Sequence, residues 1–93
     1  MITDQQKRII QHILEPFLPN RIGIFGSVAR GEATQTSDLD ILVDFNSRIS
    51  LFDLIDLEEK LSDALHCKVD LVTERSLHPS IKQFIDKDIV FID

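Results

Sequence analysis

The chain has 93 residues, 43 % of them hydrophobic, with a formal net charge of −6 and a pI near 4.9. That length allows one domain, over residues 1–93, and a domain so small buries only about 60–65 % of the surface its unfolded chain exposes, so a partner surface can matter to it. The acidic balance argues against a large nucleic-acid partner such as duplex DNA, which needs clustered Lys and Arg, and the apolar runs fall far short of the ~20 residues that span a bilayer.

No charged segment followed by an apolar stretch opens the chain, so no signal peptide is expected. The spacing predicts a first helix from residue 3 to about 17. Thr3 caps it and Gln6 completes a capping box, while Ile9, Ile10, Ile13, Leu14 and Phe17 recur at helical spacing. Pro19 and Asn20 break the chain. Residues 21–25 read as a buried strand ended by Gly26 and Ser27, with a short helix starting near Val28. Residues 31–37 form a polar loop, and 39–45 a second strand around Ile41, Leu42 and Val43. Ser50 and Asp53 cap another helix. It runs to about His66 with Leu54, Leu57, Leu61 and Leu65 on one face and Asp56, Glu58, Glu59 and Asp63 on a solvated one. Cys67 is the one cysteine and cannot form an internal disulfide, which fits a reducing cytoplasm. Residues 68–73 give a third strand. Pro79 suits a first helical position, and Ile81, Phe84 and Ile85 follow as a short apolar stripe. Residues 89–92 read as a last strand or an extended tail. Helices and strands in this order imply a layered α/β domain with helices packed on a sheet.

The chemistry concentrates in residues 26–40, G-S-V-A-R-G-E-A-T-Q-T-S-D-L-D. Gly26 lacks a Cβ, so the backbone can turn sharply and a phosphate can approach it. Ser27 offers a hydroxyl and an N–H just before a helix start, and helix N-termini bind anions. Arg30 can clamp a phosphate through its planar fork or brace the loop against an acid such as Glu32. Strand alternation sends Asp38 and Asp40 to one face, roughly 6.5–7 Å apart, and such a pair can bracket metal ions. Hard carboxylate oxygens suit Mg²⁺, which also takes ligands from substrate phosphates. A metal cation in turn lets an acidic chain hold a nucleotide. Asp70, on the third strand, can converge on the same metals. Asp44 lies on the face of Asp38 and Asp40 but at the far end of the strand. His12, His66 and His78 lack ligand spacing and read as surface residues. With no Tyr and no Trp, base stacking must rest on Phe.

Gly26, Ser27, Arg30, Gly31, Ser37, Asp38 and Asp40 would coincide by chance with odds on the order of 10⁻⁹ per start point. Together they resemble the signature of nucleotidyltransferases with a DNA polymerase beta-like fold: G-S, about ten residues, then D-x-D. The R-G and S-D-x-D details resemble the minimal nucleotidyltransferase branch. The likeness continues through V-D-F at 43–45, I-S-L-F-D-L at 49–54 and K-V-D-L-V at 68–72. The resemblance implies an α/β (α+β) core, a small mixed sheet flanked by helices. It implies that Asp38 and Asp40 bind catalytic Mg²⁺, two ions in all, that Asp70 completes the triad, and that Gly26 and Ser27 contact the triphosphate of ATP. It also implies a partner, a HEPN-type helical RNase toxin, which the family neutralises as antitoxin, in some cases by transferring AMP to a tyrosine hydroxyl. Two other readings stay open: a non-catalytic antitoxin that acts by occlusion, and the catalytic subunit of a two-chain small-molecule or RNA nucleotidyltransferase. In each the partner or acceptor lies on another chain, so a hetero-oligomer is expected, away from membranes and large nucleic acids.

Overall fold

A computed structural model of the chain describes residues 2–34 and 37–92. Helix α1 (Asp4–Leu14) starts as the sequence predicts: Thr3 Oγ1 accepts the Gln6 amide at 3.1 Å, and the Gln6 side chain accepts the Thr3 amide at 2.8 Å. It stops short of residue 17. Pro16 has no N–H to continue the helix, so Glu15–Phe17 closes as a 3₁₀ turn and Leu18 adopts the left-handed conformation at φ 56°. The chain therefore breaks at Leu18, one residue before the expected break. Pro19 instead opens strand β1 (Pro19–Phe25), at a first position where proline is tolerated.

The sheet has the order β3-β2-β1-β4. Strand β2 (Leu39–Phe45) pairs antiparallel with β1 and parallel with β3 (Val69–Thr73). A parallel neighbour needs a long crossover, and α3 (Leu51–Leu65) supplies it. The predicted Ser50–Asp53 capping box starts that helix, and His66 ends it in the left-handed conformation at φ 56°. The final segment resolves as a two-residue strand, β4 (Val90–Phe91), antiparallel to β1 at Gly23 and Ile24. The expected fold class holds: a mixed sheet flanked by helices. Of the polar loop expected over 31–37, residues 35 and 36 lie outside the described residues.

One face of the sheet is the core. Alternation sends Leu39, Ile41, Val43 and Phe45 to the same side, where they join Ile10 and Leu14 of α1 and Leu57 and Leu61 of α3. No described polar or charged residue is buried. Among the described residues no helix is long and apolar enough to cross a membrane. Glu58 departs from the solvated face expected of it. Its carboxylate accepts the Leu71 amide at 2.8 Å, and Ser62 Oγ accepts the Val69 amide at 3.1 Å, so α3 side chains occupy backbone donors of β3. Asp56, Glu59 and Asp63 are exposed as expected.

The other face is more open. By register it carries Arg21, Gly23 and Phe25 of β1, Asp40, Leu42 and Asp44 of β2, and Asp70 and Val72 of β3. Helix α4 (Pro79–Asp88) has no buried residue, and its apolar stripe stays largely at the surface, with Ile81 53 % and Phe84 69 % exposed. An ion-pair cluster fastens this helix. Glu74 accepts Lys82 at 2.9 Å and Arg21 at 2.6 Å, and those hydrogen bonds, Lys82 first, hold its carboxyl below the ordinary carboxylate range.

Candidate active site

The turn after β1 decides the geometry. Gly26 takes φ 75° and opens the short helix α2 (Gly26–Ala29), two residues before the start suggested by sequence. Two constraints require glycine here. The positive φ disfavours any L side chain, and a Cβ would run into the Asp40 carboxylate. The Gly26–Ser27 turn and the second motif acid are thus pressed together. Ser27 follows, half-buried, and its carbonyl accepts the Glu32 amide at 2.9 Å, which closes the loop behind it. The first N–H groups of such a turn have no intrahelical partner and remain available to an anion.

Asp38 lies just before β2 rather than within it, since the strand begins at Leu39. Lys68 Nζ stands 3.8 Å from its carboxylate. Asp40 is directly opposite Phe25 on one side and Asp70 on the other, so parallel register brings the third acid beside the second. Burial is the main cause that pushes the Asp40 carboxyl above its ordinary value. The charges of Asp70 and then Asp38 add to it, and Arg30 opposes them. Asp70 is exposed, while Asp38 and Asp40 are only partly so.

Among the described residues no three His, Cys, Asp or Glu side chains are gathered at metal-coordinating spacing. Charge repulsion among the three acids reaches farther than a coordinate bond does, so the two observations agree. The acids form an open fork with an excess of negative charge and one exposed lysine beside it. Such a donor set fits Mg²⁺, whose remaining positions are filled by waters and substrate phosphates.

Arg30 is already engaged. Its guanidinium meets Glu32 at 3.3 Å and Asp88 of α4 at 3.5 Å. Bracing by Glu32 matches the alternative read from sequence. The link to Asp88 was not foreseen, because nothing local marks a contact 58 residues away. Asp44 accepts from Asn20 Nδ2 at 3.3 Å and is paired in register with Arg21, at the end of β2 away from Asp38. His78 caps α4 through Nδ1 and Ser80, while His12 and His66 are exposed. A cavity of about 510 Å³ beside α1, at Arg8, Gln11 and His12, lies away from the acids; a cleft of about 400 Å³ opens at Gly26 itself.

The sequence profile of the family described as Nucleotidyltransferase domain matches residues 5–92. "Putative protein adenylyltransferase MJ0126" of Methanocaldococcus jannaschii is 48 % identical over 83 residues, spanning 88 % of this chain and 85 % of that protein. Protein adenylyltransferase MntA of Thermococcus cleftensis is 43 % identical over 82 residues, spanning 88 % and 83 %. Among solved structures, a toxin-antitoxin crystallised with AMP-PNP superposes with a TM-score of 0.85 at 27 % identity, covering 94 % of this chain and 72 % of that one.

Proposed function

The chain belongs to the nucleotidyltransferase domain family, and from that premise we propose that it transfers AMP from ATP to a tyrosine hydroxyl of a HEPN-type RNase toxin, acting as its antitoxin. The observation that supports this most is the abutment of Gly26 on Asp40, with Asp70 beside Asp40 in register. It sets the Gly26–Ser27 turn, which we assign to phosphate, against a fork of acids.

Gly26 and Ser27 hold the β- and γ-phosphates. Asp38, Asp40 and Asp70 would hold Mg²⁺, two ions in all, which would offset phosphate charge and make the acceptor hydroxyl easier to deprotonate. The acceptor oxygen bonds to the α-phosphorus, the bond to the β-phosphate bridging oxygen breaks, and pyrophosphate leaves. Asp70, the exposed member of the three acids, takes the hydroxyl proton. Ser27→Ala removes a hydrogen bond to a charged phosphate, which is worth ~1.5–3 kcal/mol.

The acceptor belongs to another protein. This chain has no tyrosine, and its acids sit on an open face. Holding a nucleophile in line can lower the barrier by ~7–11 kcal/mol, and a helical partner docked over the acids supplies that positioning in a hetero-oligomer. An AMP group on the toxin adds charge and bulk where RNA phosphates must dock. The free thiol of Cys67 fits a cytoplasmic setting.

The test is co-expression of the toxin with the wild-type chain and with Asp38→Asn. Wild type should protect the cells and raise the toxin's mass by one or more AMP units, and the variant should do neither. Equal protection with no mass increase would replace transfer by occlusion.

A further inference from the structure

We propose that the N-terminal half of α3 is a dimer face, on which a second copy of this chain packs its own α3 antiparallel about a two-fold axis. The inference goes beyond the nucleotidyl-transfer reading and does not depend on it. Apolar exposure comes first. Leu51, Phe52 and Ile55 are 68, 82 and 45 % exposed, and Phe52 is the most exposed large apolar side chain described. The capping box of Ser50 and Asp53 fixes the turn that carries them, so they project from an ordered helix. Phe52, Ile55 and Glu59 follow at helical spacing, on one stripe away from the buried Leu57, Leu61 and Leu65.

Charge identifies the occupant. Arg48 and Arg75 are both exposed and line one hollow of about 260 Å³ at the far ends of β2 and β3. Neither has an ion-pair partner among the described residues, and neither do Glu59 and Asp63 farther along α3. One chain therefore carries unpaired cations at the start of this helix and unpaired anions toward its end. The helix N-terminus adds partial positive charge to the first of these. Two antiparallel copies bring each end against its opposite. Centred between Asp53 and Leu54, the pairing sets Phe52 against Ile55 of the second copy and Arg48 against Glu59 of the second copy. Two-fold symmetry repeats both contacts. A parallel pairing would instead oppose Arg48 to Arg48 and Glu59 to Glu59. The position of the acids argues against the toxin at this face. Asp38 and Asp40 sit at the start of β2, and α3 begins beyond the other end of that strand, roughly 20 Å away. A dimer through α3 leaves both acid forks uncovered.

The experiment is sedimentation equilibrium of the full chain over a range of concentrations, for wild type and four variants. The mass of wild type should rise from 10.7 kDa toward twice that value, with half-association at about 10–100 µM, as befits a small interface. Phe52→Asp should stay monomeric over the same range, with an unchanged melting temperature, because the side chain is exposed. Arg48→Glu and Glu59→Arg should each weaken association at least about tenfold, since each sets like charges together. The double variant Arg48→Glu with Glu59→Arg should restore it to near wild type. That rescue is specific to the antiparallel register. A wild-type chain that is still monomeric at about 1 mM overturns the proposal. So does a dimer that Phe52→Asp leaves intact, or a double variant no tighter than its two parents. Loss of toxin binding in Phe52→Asp, with wild type monomeric, would assign the face to the toxin instead and leave the transferase reading standing.

Discussion

The two faces of the sheet follow opposite rules. Beneath α1 and α3 the side chains are apolar and dry, with Ile10, Leu14, Ile41, Val43 and Leu61 fully inaccessible. On the other side Asp40, Asp70, Arg21 and Asp44 share the register, and helix α4 has no buried residue of its own. Stability thus resides on one side of β2 and candidate chemistry on the other, with alternate residues of a single strand assigned to each. A domain this small has one core to spare for folding. The acids repel one another at no risk to that core, because their face is not the one that holds the chain together.

Substitutions can break or sharpen this division. The largest effect is expected on the acid face. Asp40→Asn should lower transfer by about a thousandfold or more, since it weakens a hard ligand at the centre of the fork. It should also raise the melting temperature of the metal-free protein at pH 7 by about a few degrees. The sign follows from the raised Asp40 carboxyl. Its favourable contribution is complete below the ordinary carboxylate pKa, near pH 4, and is lost as pH rises through the folded value. The gap between variant and wild type should therefore close on acidification, which calorimetry in EDTA reads directly; a variant that melts lower at pH 7 contradicts the division.

On the core face, Leu61→Ala should cost about 3–4 kcal/mol of unfolding free energy, a large part of the total for a small domain. Urea unfolding measures it, and transfer per folded molecule should be unchanged. A cost below about 1 kcal/mol would mean that the helix layer is not the main support. Gly26→Ala falls between the faces. Its positive φ and the collision with Asp40 should cost about 1–3 kcal/mol and also weaken ATP binding, so a change in only one of the two separates turn from acid. The smallest effect is expected for Glu74→Gln, about 1 kcal/mol, because Arg21 and Lys82 are half-exposed and solvent screens them. The Glu74 carboxyl is held low, so its contribution is present at neutral pH and is lost as pH falls through the folded value, below the ordinary carboxylate range. Hydrogen exchange should then rise in α4 and not in α1.

Much of this was legible because the signals are local. Strand β2 and helix α3 follow from an apolar alternation and a capping box, each complete within one stretch of sequence. The Gly26–Ser27 turn and the Asp38–Asp40 pair stand out for the same reason. Asp70 beside Asp40 required register, and the motif resemblance supplied what spacing could not. The early end of α1 was missed because five apolar residues at helical spacing outweighed Pro16. Lys68 beside Asp38, Asp88 on Arg30 and Glu58 on the Leu71 amide depend on where separate elements come to rest. No window of sequence contains that information.

The side chains of Glu58 and Ser62 on β3 have a consequence for behaviour at high concentration. A sheet margin normally presents a row of bare amides that can recruit another strand. Here the β3 amides at Val69 and Leu71 are taken. On the opposite margin the edge strand β4 is only two residues long, the Ile92 amide reaches the Ile22 carbonyl, and β1 behind it has an irregular register with β2 between Pro19 and Arg21. Neither border is a straight template for strand addition, so fibrillar growth is disfavoured. Association is left to side-chain surfaces, which favours discrete complexes of fixed size over open-ended polymers.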